Sequence, residues 1–438
     1  MEKIVSLCKR RGFVYPGSEI YGGLANTYDY GPLGAELKNN IKQLWWKYFV
    51  KMREDMVGLD GGIFLHPTVW EASGHVKKFK DSLVECKKCH HRFRPDKLID
   101  SKKCPDCGGE LTEPRLFSGM FKTVIGPVEK EGTATYLRPE TAQNIFVDFK
   151  NVLDSTAKKI PFGIAQMGKS FRNEITTGNF IFRTIEFEIM ELEYFIAADA
   201  DWNKIFEEWL GYIYGFADLI GLKRKNFYNN ELSNKDRAHY SKRTVDIEYK
   251  FPWGEDELWA IAYRTDYDLS AHQKISGKIL EYFDEETKKK YIPHVIEPTF
   301  GVDRTILAVL CEGYREEKDP EGEPSVPYGA GRIVLKLNPK LAPYKVAVFP
   351  LLANKPKLVN LAKKIYDDLR PHFMTAFDDR GNIGKRYYSQ DEIGTPWCIT
   401  VDFESLEKDD VTIRDRDSMK QERVKIKDLT KIFEDKLK

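Results

Sequence analysis

The sequence predicts an α+β fold: an antiparallel-sheet domain over residues 1–335, a cysteine-rich insertion within it at 84–112, and a small α/β domain over 342–438. Three observations carry this reading. Upstream of the Pro-, Gly- and charge-rich stretch "YREEKDPEGEPSVPYGAGRIVLKLNPKLAP", many strands, one pair of them a hairpin, surround few helices, which points to antiparallel pairing. Downstream, strand, helix, strand, helix and strand alternate, as in a mixed or parallel sheet. The insertion, "VECKKCHHRFRPDKLIDSKKCPDCGGELT", is basic and poor in apolar residues, so something other than a core must hold it. The 438 residues suit two or three domains at ~150 residues each.

Taken in order, residues 32–50 repeat Leu33, Leu37, Ile41, Leu44, Trp45 and Tyr48 at helical steps, with Pro32 in the first turn. Residues 57–79 start strand-like and give way to a loop or short helix in "HPTVWEASGHVKKF". Apolar strands follow at 135–137, 164–167 and 243–250, and a helix runs through "DWNKIFEEWLGYIYGFADLIG". In "HVIEPTFGVDRTILAVLCEGY" alternation changes to helical periodicity near Arg304.

Composition excludes several classes. Hydrophobic residues make up 42% of the chain and charged residues 31%, and no apolar run approaches a membrane span of ~20 residues. The N-terminus lacks a signal-peptide pattern, so a cytoplasmic protein without membrane contact is expected. Sixty-nine basic and 68 acidic residues leave a formal charge of +1, so affinity for nucleic acid would have to come from local patches. Seven cysteines, four of them in two C-x-x-C pairs, suggest a metal rather than a disulfide framework.

Four segments carry chemistry. Cys86, Cys89, Cys104 and Cys107 have close to structural zinc spacing, and four thiolates fill a tetrahedral Zn2+ site with no open position. His90 or His91 could replace one ligand, and four reduced cysteines in a polar loop are the alternative. "SFRNEITTGNFIFRTIEFEIMELEYF" reads as a hairpin around Thr176–Asn179. Parity places Arg183, Ile185, Phe187, Ile189, Glu191 and Glu193 on one face. Cation, aromatic plate and carboxylate at four-residue steps suit a flat, charged ligand; a solvated face with cross-strand ion pairs is the alternative. In "YLRPETAQNIFVDF", Arg138 and Glu140 precede a helix that Thr141 could cap. In "EPTFGVDR", Glu297 and Thr299 share a strand face, Gly301 frees the backbone, and Arg304 enters a helix's first turn, where the dipole disfavours a cation. An arginine there calls for an anion, either a ligand or Asp303.

Together these segments resemble the three motifs of class II aminoacyl-tRNA synthetases. "FRNE" with "RTIEFEIME" is similar to motif 2, "EPTFGVDR" to motif 3, and "FLHPTVWEASGH" with the helix before it to motif 1. "YDYGPLG", "WEASGH", "LRPETAQ", "FRNEI", "EPTFG" and "QDEIGTP" resemble the homodimeric type of glycyl-tRNA synthetase across nearly the whole chain. The resemblance implies a class II synthetase antiparallel-sheet catalytic domain with a zinc-ribbon-like insertion and a small α/β anticodon-binding domain. It implies a homodimer that joins glycine to tRNA(Gly) through a glycyl-adenylate made from ATP with Mg2+. Arg172 and Arg304 would be catalytic. ATP would meet Arg172, Asn173, Glu174, Phe182, Arg183, Phe187, Glu257, Leu258, Gly301 and Arg304. Glycine would meet Arg94, Glu140, Phe187, Glu191, Glu297, Thr299 and Gly301. A non-catalytic relative on this scaffold would lack the phosphate-clamping arginines, and Arg172, Arg183 and Arg304 are all present.

The chain departs from the family pattern at Ile185, where an arginine is usual, at Asn144 after "ETAQ", and at Thr299 in place of serine. It departs again in the tail, at Lys385 to Ser389. There Tyr387 and Tyr388 beside Lys385 and Arg386 suit stacking on single-stranded bases, or else form a strand edge with tyrosines facing the core.

Overall fold

The computed structural model describes residues 1–95, 98, 100, 102–127, 132–174, 178–317 and 332–438. Its centre is a seven-stranded sheet of β1 (Met56–Gly58), β2 (Phe162–Phe171), β3 (Glu186–Ile196), β4 (Phe227–Glu231), β5 (Arg243–Phe251), β6 (Gly254–Thr265) and β7 (His294–Gly301). The spatial order is β4-β5-β6-β7-β3-β2-β1, and every pair is antiparallel except β1 with β2.

Four helices dress this sheet: α1 (Pro32–Trp46), α2 (Ala142–Thr156), α3 (Trp202–Ile220) and α4 (Val302–Gly313). Alternation divides the strands into two faces. On one face, Met190, Leu192, Ile261, Ile296 and Phe300 pack against Leu37, Ile41 and Trp45 of α1, Phe206 and Phe216 of α3, and Ile306 and Leu310 of α4. On the other, Ile164, Phe195 and Val295 pack with Phe146 and Phe149 of α2. The rest of that second face mixes Phe187 and Ile189 with charged and polar groups, and it carries the candidate site.

The expected helix over 32–50 is α-helical to Trp46 and then widens into a π turn at Lys47–Lys51. The wider turn buries Phe49 against Trp45, Trp209, Phe216 and Phe300. Asp201 caps α3 by accepting from the Lys204 N–H, and Gly221 closes it at φ 85°.

The hairpin differs from its sequence reading. β2 ends at Phe171, so Arg172 and Glu174 lie just past it, and residues 175–177 of the expected turn fall outside the described residues. Asn179 and Phe180 take positive φ and start a 3-10 turn over Phe180–Phe182, which Arg183 closes. Arg183 and Ile185 therefore precede β3 instead of continuing its face. Turn geometry, not strand parity, aims Arg183.

A three-stranded sheet of Lys80–Glu85, Arg92–Phe93 and Arg115–Ser118 starts before and ends after the expected 84–112 insertion. Its core is small: Val84, Cys86, Cys104 and Leu111. Residues 318–331 of the expected boundary stretch lie outside the described residues. Their flanks, Tyr314–Glu317 and Arg332–Leu335, pair antiparallel.

Beyond it stand β8 (Val346–Pro350), β9 (Thr375–Phe377), β10 (Trp397–Val401), β11 (Asp410–Asp415) and β12 (Gln421–Lys425), in the order β9-β8-β10-β11-β12. β8 runs parallel to β9 and β10, and the other pairs are antiparallel, so the expected mixed sheet is present. Leu358 and Ile365 of α5 (Pro356–Leu369) pack on Val346, Val348 and Ile399.

The tyrosine pair sits on α6 (Ile383–Ile393) and not on a strand edge. Tyr387 lies against Phe349, shares a 2.5 Å hydrogen bond with Thr400 and underlies the Arg414 guanidinium. Arg386 is buried and donates to the carbonyls of Pro350, Asp379, Arg380 and Gly381. Both are packing residues, and neither is an exposed platform for bases.

Asp391 on α6 ties this sheet to the strand at Arg332–Leu335. It is fully buried and accepts from Arg332 at 2.9 Å and from Arg414 at 2.9 and 3.0 Å. Beside it, Glu392 pairs with Arg10 and Arg11 from the N-terminal helix Glu2–Arg11. Removing one partner of such a buried set leaves uncompensated charge. Asp391→Ala should therefore lower stability by about 3–5 kcal/mol, read as a shift in the urea midpoint.

Candidate functional site

One cavity gathers most of the residues singled out in the sequence. Arg172, Glu174, Phe182, Arg183, Phe187, Glu257, Leu258, Thr299, Gly301 and Arg304 all line it. They come from the ends of β2 and β3, the 3-10 turn, β6, the end of β7 and the start of α4. Asn173 and Arg94 are not among the lining residues. The backbone N–H of Asn173 donates to Gly119, and Arg94 follows the insertion strand Arg92–Phe93.

Three arginines set the cavity's charge. The Arg172 guanidinium lies 5.4 Å from the centre of the Phe187 ring and 5.6 Å from that of Phe79, and its Nε donates to the Pro139 carbonyl. Arg304 stacks on Phe182 at 4.5 Å and reaches Glu257, with 2.8 Å to its carbonyl and 3.0 Å to its carboxylate. Asp303, the other partner the sequence allowed, also lines the cavity but is engaged elsewhere. It accepts from Tyr30 and from the Glu188 N–H and pairs with Lys38. Burial opposes the charge on Glu257, but Arg304, with Arg172 and Arg183, still brings its carboxyl below the usual range. Guanidinium forks around an aromatic plate suit a planar ligand that carries phosphate or carboxylate groups.

Beneath the Thr299 end lies a buried acidic set. Glu191 is 3% exposed, which rules out the solvated-face alternative. It accepts from the Thr141 N–H at 3.2 Å, the Thr141 hydroxyl at 2.5 Å and the Thr299 hydroxyl at 3.1 Å. Thr141 occupies the N-cap position of α2, yet its side chain serves Glu191 and does not cap the helix. Thr299 makes the hydroxyl contact that a serine would. Asn144 accepts from Arg138 and donates to the Gly62 carbonyl, which anchors the 61–62 loop.

Sequence reasoning passed over the group that organises this set. Arg264, at the end of β6, is completely buried. It donates to Glu297 at 2.6 Å and to both oxygens of Asp268 at 2.8 and 2.9 Å, lies 3.9 Å from Glu140, and stacks on Tyr240. Gln143 bridges Glu140 and Asp268, and His75 meets Glu140 at 3.2 Å. Burial would raise the Glu140 carboxyl, but His75 and Arg264 outweigh it and hold it below the ordinary range. The available signal was Arg264 and Asp268 four residues apart in "YRTDYD", an arginine closing an apolar strand.

The four cysteines of the insertion form a separate cluster. Their sulfurs all lie within 4.8 Å of one another, with Cys86–Cys107 at 3.5 Å and Cys89–Cys104 at 3.6 Å. Zinc–sulfur bonds of ~2.3 Å put tetrahedral sulfurs about 3.8 Å apart, so the set fits that metal. The backbone N–H groups of Lys88 and Cys89 both donate to the Cys86 sulfur, as they would to a metal-bound thiolate. A Cβ on Gly109 would sit 3.0 Å from Cys86 Sγ, so the glycine leaves room for the sulfurs. His90 and His91 pair with Glu85 and Asp106, which leaves the four thiols as the donor set.

Comparison with known proteins agrees with this geometry. A family profile described as "tRNA synthetase class II core domain (G, H, P, S and T)" matches residues 123–313, and one described as "Anticodon binding domain" matches 345–436. The fold is thus that of a class II synthetase core followed by an anticodon-binding domain. A protein of Lachnospira eligens named glycine--tRNA ligase is 51% identical, over 100% of this chain and 99% of its own length. Proteins of the same name from Thermobifida fusca and Borrelia garinii subsp. bavariensis are each 50% identical, over 100% and 98% of this chain and 98% and 96% of their own lengths. The chain belongs to the glycine--tRNA ligase family.

Arg264 offers a direct check on the site's architecture. Arg264→Leu leaves Glu297 and Asp268 buried without their cation and should cost about 3–5 kcal/mol in urea unfolding. Arg264→Lys should recover little of this, because a point charge cannot reproduce the fork to two carboxylates.

Proposed function

We propose that this protein is a glycine–tRNA ligase: it activates glycine with ATP to glycyl-adenylate and pyrophosphate, then transfers glycine to the 3′-terminal ribose of tRNA(Gly). The observation that carries the reading is the juxtaposition of an arginine-lined cavity with a buried acidic set at its Thr299 end. Phosphates need the first and an ammonium needs the second.

On this reading Arg172 holds the α-phosphate and the glycine carboxylate. Glu174 meets the adenine amino group and Phe187 stacks on the ring. Arg183 and Arg304 neutralise the γ-phosphate. The glycine carboxylate attacks the α-phosphorus in line and pyrophosphate departs; the ribose hydroxyl then attacks the carbonyl and AMP leaves. Positioning and charge neutralisation carry the rate, so no side-chain nucleophile is required. Glu140, Glu191 and Glu297 form the acidic cage for the ammonium. Thr299, tied to Glu191, takes up the volume that a methyl group would need. Attraction alone separates substrates differing by one methylene by only ~1–3 kcal/mol, so exclusion by volume supplies the rest.

Glu257, a carboxylate at the cavity wall, is the group suited to an ATP-bound Mg2+, which would offset phosphate charge. Cys86, Cys89, Cys104 and Cys107 would hold a structural Zn2+. Clustered thiols suit a reducing compartment, and we read the protein as cytoplasmic. The loop bearing Ile20, Tyr21 and Leu24, exposed at 89%, 87% and 61%, supports a homodimer. The catalytic domain is taken as 1–335 and the anticodon-binding domain as 342–438.

Amino-acid-dependent exchange of pyrophosphate into ATP tests this reading. Glycine alone among the amino acids should support exchange, and Arg172→Ala and Arg304→Ala should each lower it ~100-fold or more with the fold retained. Near-normal exchange in either variant would move the phosphate clamp elsewhere.

Metal analysis should find one zinc per chain. Chelation should unfold the insertion locally while the rest of the protein stays folded, because its core is too small to stand alone. Four freely titratable thiols in folded, metal-free protein would refute this.

A further inference from the structure

One carboxylate in the acidic set has no donor. Glu193 is fully buried on β3, two residues beyond Glu191 and on the same face. Glu140, Glu191, Glu297 and Asp268 each accept from a named partner, whereas neither oxygen of Glu193 has one among the described residues. Yet Glu191, Glu193 and Glu297 each place a carboxylate oxygen within 4.8 Å of the other two.

An ionised carboxylate cannot stay in such a place without donors or a cation. Carboxylates this close share a proton rather than ionise together. Arg264 does not resolve the conflict, because its contacts go to Glu297 and Asp268. Burial and the neighbouring Glu297 push the Glu193 carboxyl well up, and Arg264 opposes them without reversing the direction. Burial raises Glu297 as well, but only Glu297 of this pair has a guanidinium against it. The proton therefore belongs on Glu193.

On the reading that this pocket receives the glycine ammonium, we propose that Glu193 is a positioning residue held as a neutral acid, whose O–H donates to the Glu297 carboxylate and keeps it turned toward the ammonium. Their oxygens lie within 4.8 Å of each other, so the bond requires the two side chains to turn toward each other. The arrangement has two consequences. Glu297 is held from one side by Arg264 and from the other by Glu193, so it cannot swing away from a ligand as small as glycine. The floor of the pocket also carries one negative charge fewer, which weakens its pull on other cations.

Two measurements on the full-length protein decide the matter. The infrared spectrum of the wild type at neutral pH should contain the C=O stretch of a protonated carboxylic acid that is missing from Glu193→Gln. In pyrophosphate exchange, Glu193→Leu should raise the glycine KM about tenfold, the worth of one lost hydrogen bond at a buried carboxylate, with the ATP KM unchanged. Glu193→Gln keeps an N–H donor in the same place and should recover most of that loss. The proposal is overturned if the wild-type band does not depend on Glu193, or if Gln raises the glycine KM as much as Leu does. Should the wild type fail to activate glycine, the substrate assignment falls, while the infrared comparison still decides the state of Glu193.

Discussion

The Arg264 guanidinium is the contact on which the polar half of this protein depends. A buried cation is tolerable only when its N–H groups all meet acceptors, and buried carboxylates only when a cation meets them. Arg264 answers both needs by touching Glu297 on β7 and Asp268 at the start of the helix Tyr267–Ser276, close to Glu140 ahead of α2. Three separate pieces of chain are thereby fixed around one group. Tyr240 lies flat against the guanidinium at 3.7 Å, so the cation is also walled off from water.

The two faces of the central sheet divide the labour. The apolar face is packed with aromatic rings from α1, α3, β6 and β7, and Trp45, Phe49, Trp259 and Phe300 stand within about 6 Å of their neighbours. Such a core cannot shift one strand without disturbing the rest. The polar face can therefore hold arginines and glutamates at fixed separations, as positional catalysis requires. Charges that would be costly in a flexible loop become useful when the strands beneath them are rigid.

The same logic recurs at a distance from the cavity. Asp391 with Arg332 and Arg414, and Glu392 with Arg10 and Arg11, join the C-terminal sheet to the rest of the chain through buried or half-buried ion pairs. Such pairs demand exact partners, so they favour one relative placement of the two sheets over others. This also explains why "QDEIGTP" is acidic inside a helix that faces a core.

Much of this was legible in the amino-acid order. Period-2 and period-3.6 patterns marked β3, β5, α1, α3 and α4. Paired C-x-x-C turns marked the thiol cluster, and the spacing of Phe187 and Glu191 put the cavity's aromatic plate and the acidic set on one strand face, because each of these depends on neighbours within a few residues. Tertiary structure decided the rest. Whether Arg304 meets Asp303 or Glu257, whether Thr141 caps a helix or serves Glu191, and whether Tyr387 faces bases or Phe349 are choices between partners distant in sequence. Arg264 and Glu193 read locally as a charged end and a charged middle of a strand. Their importance comes from burial together with Glu297 and Asp268, and burial is a property of the folded chain, set by which elements close over a residue and not by its neighbours in sequence.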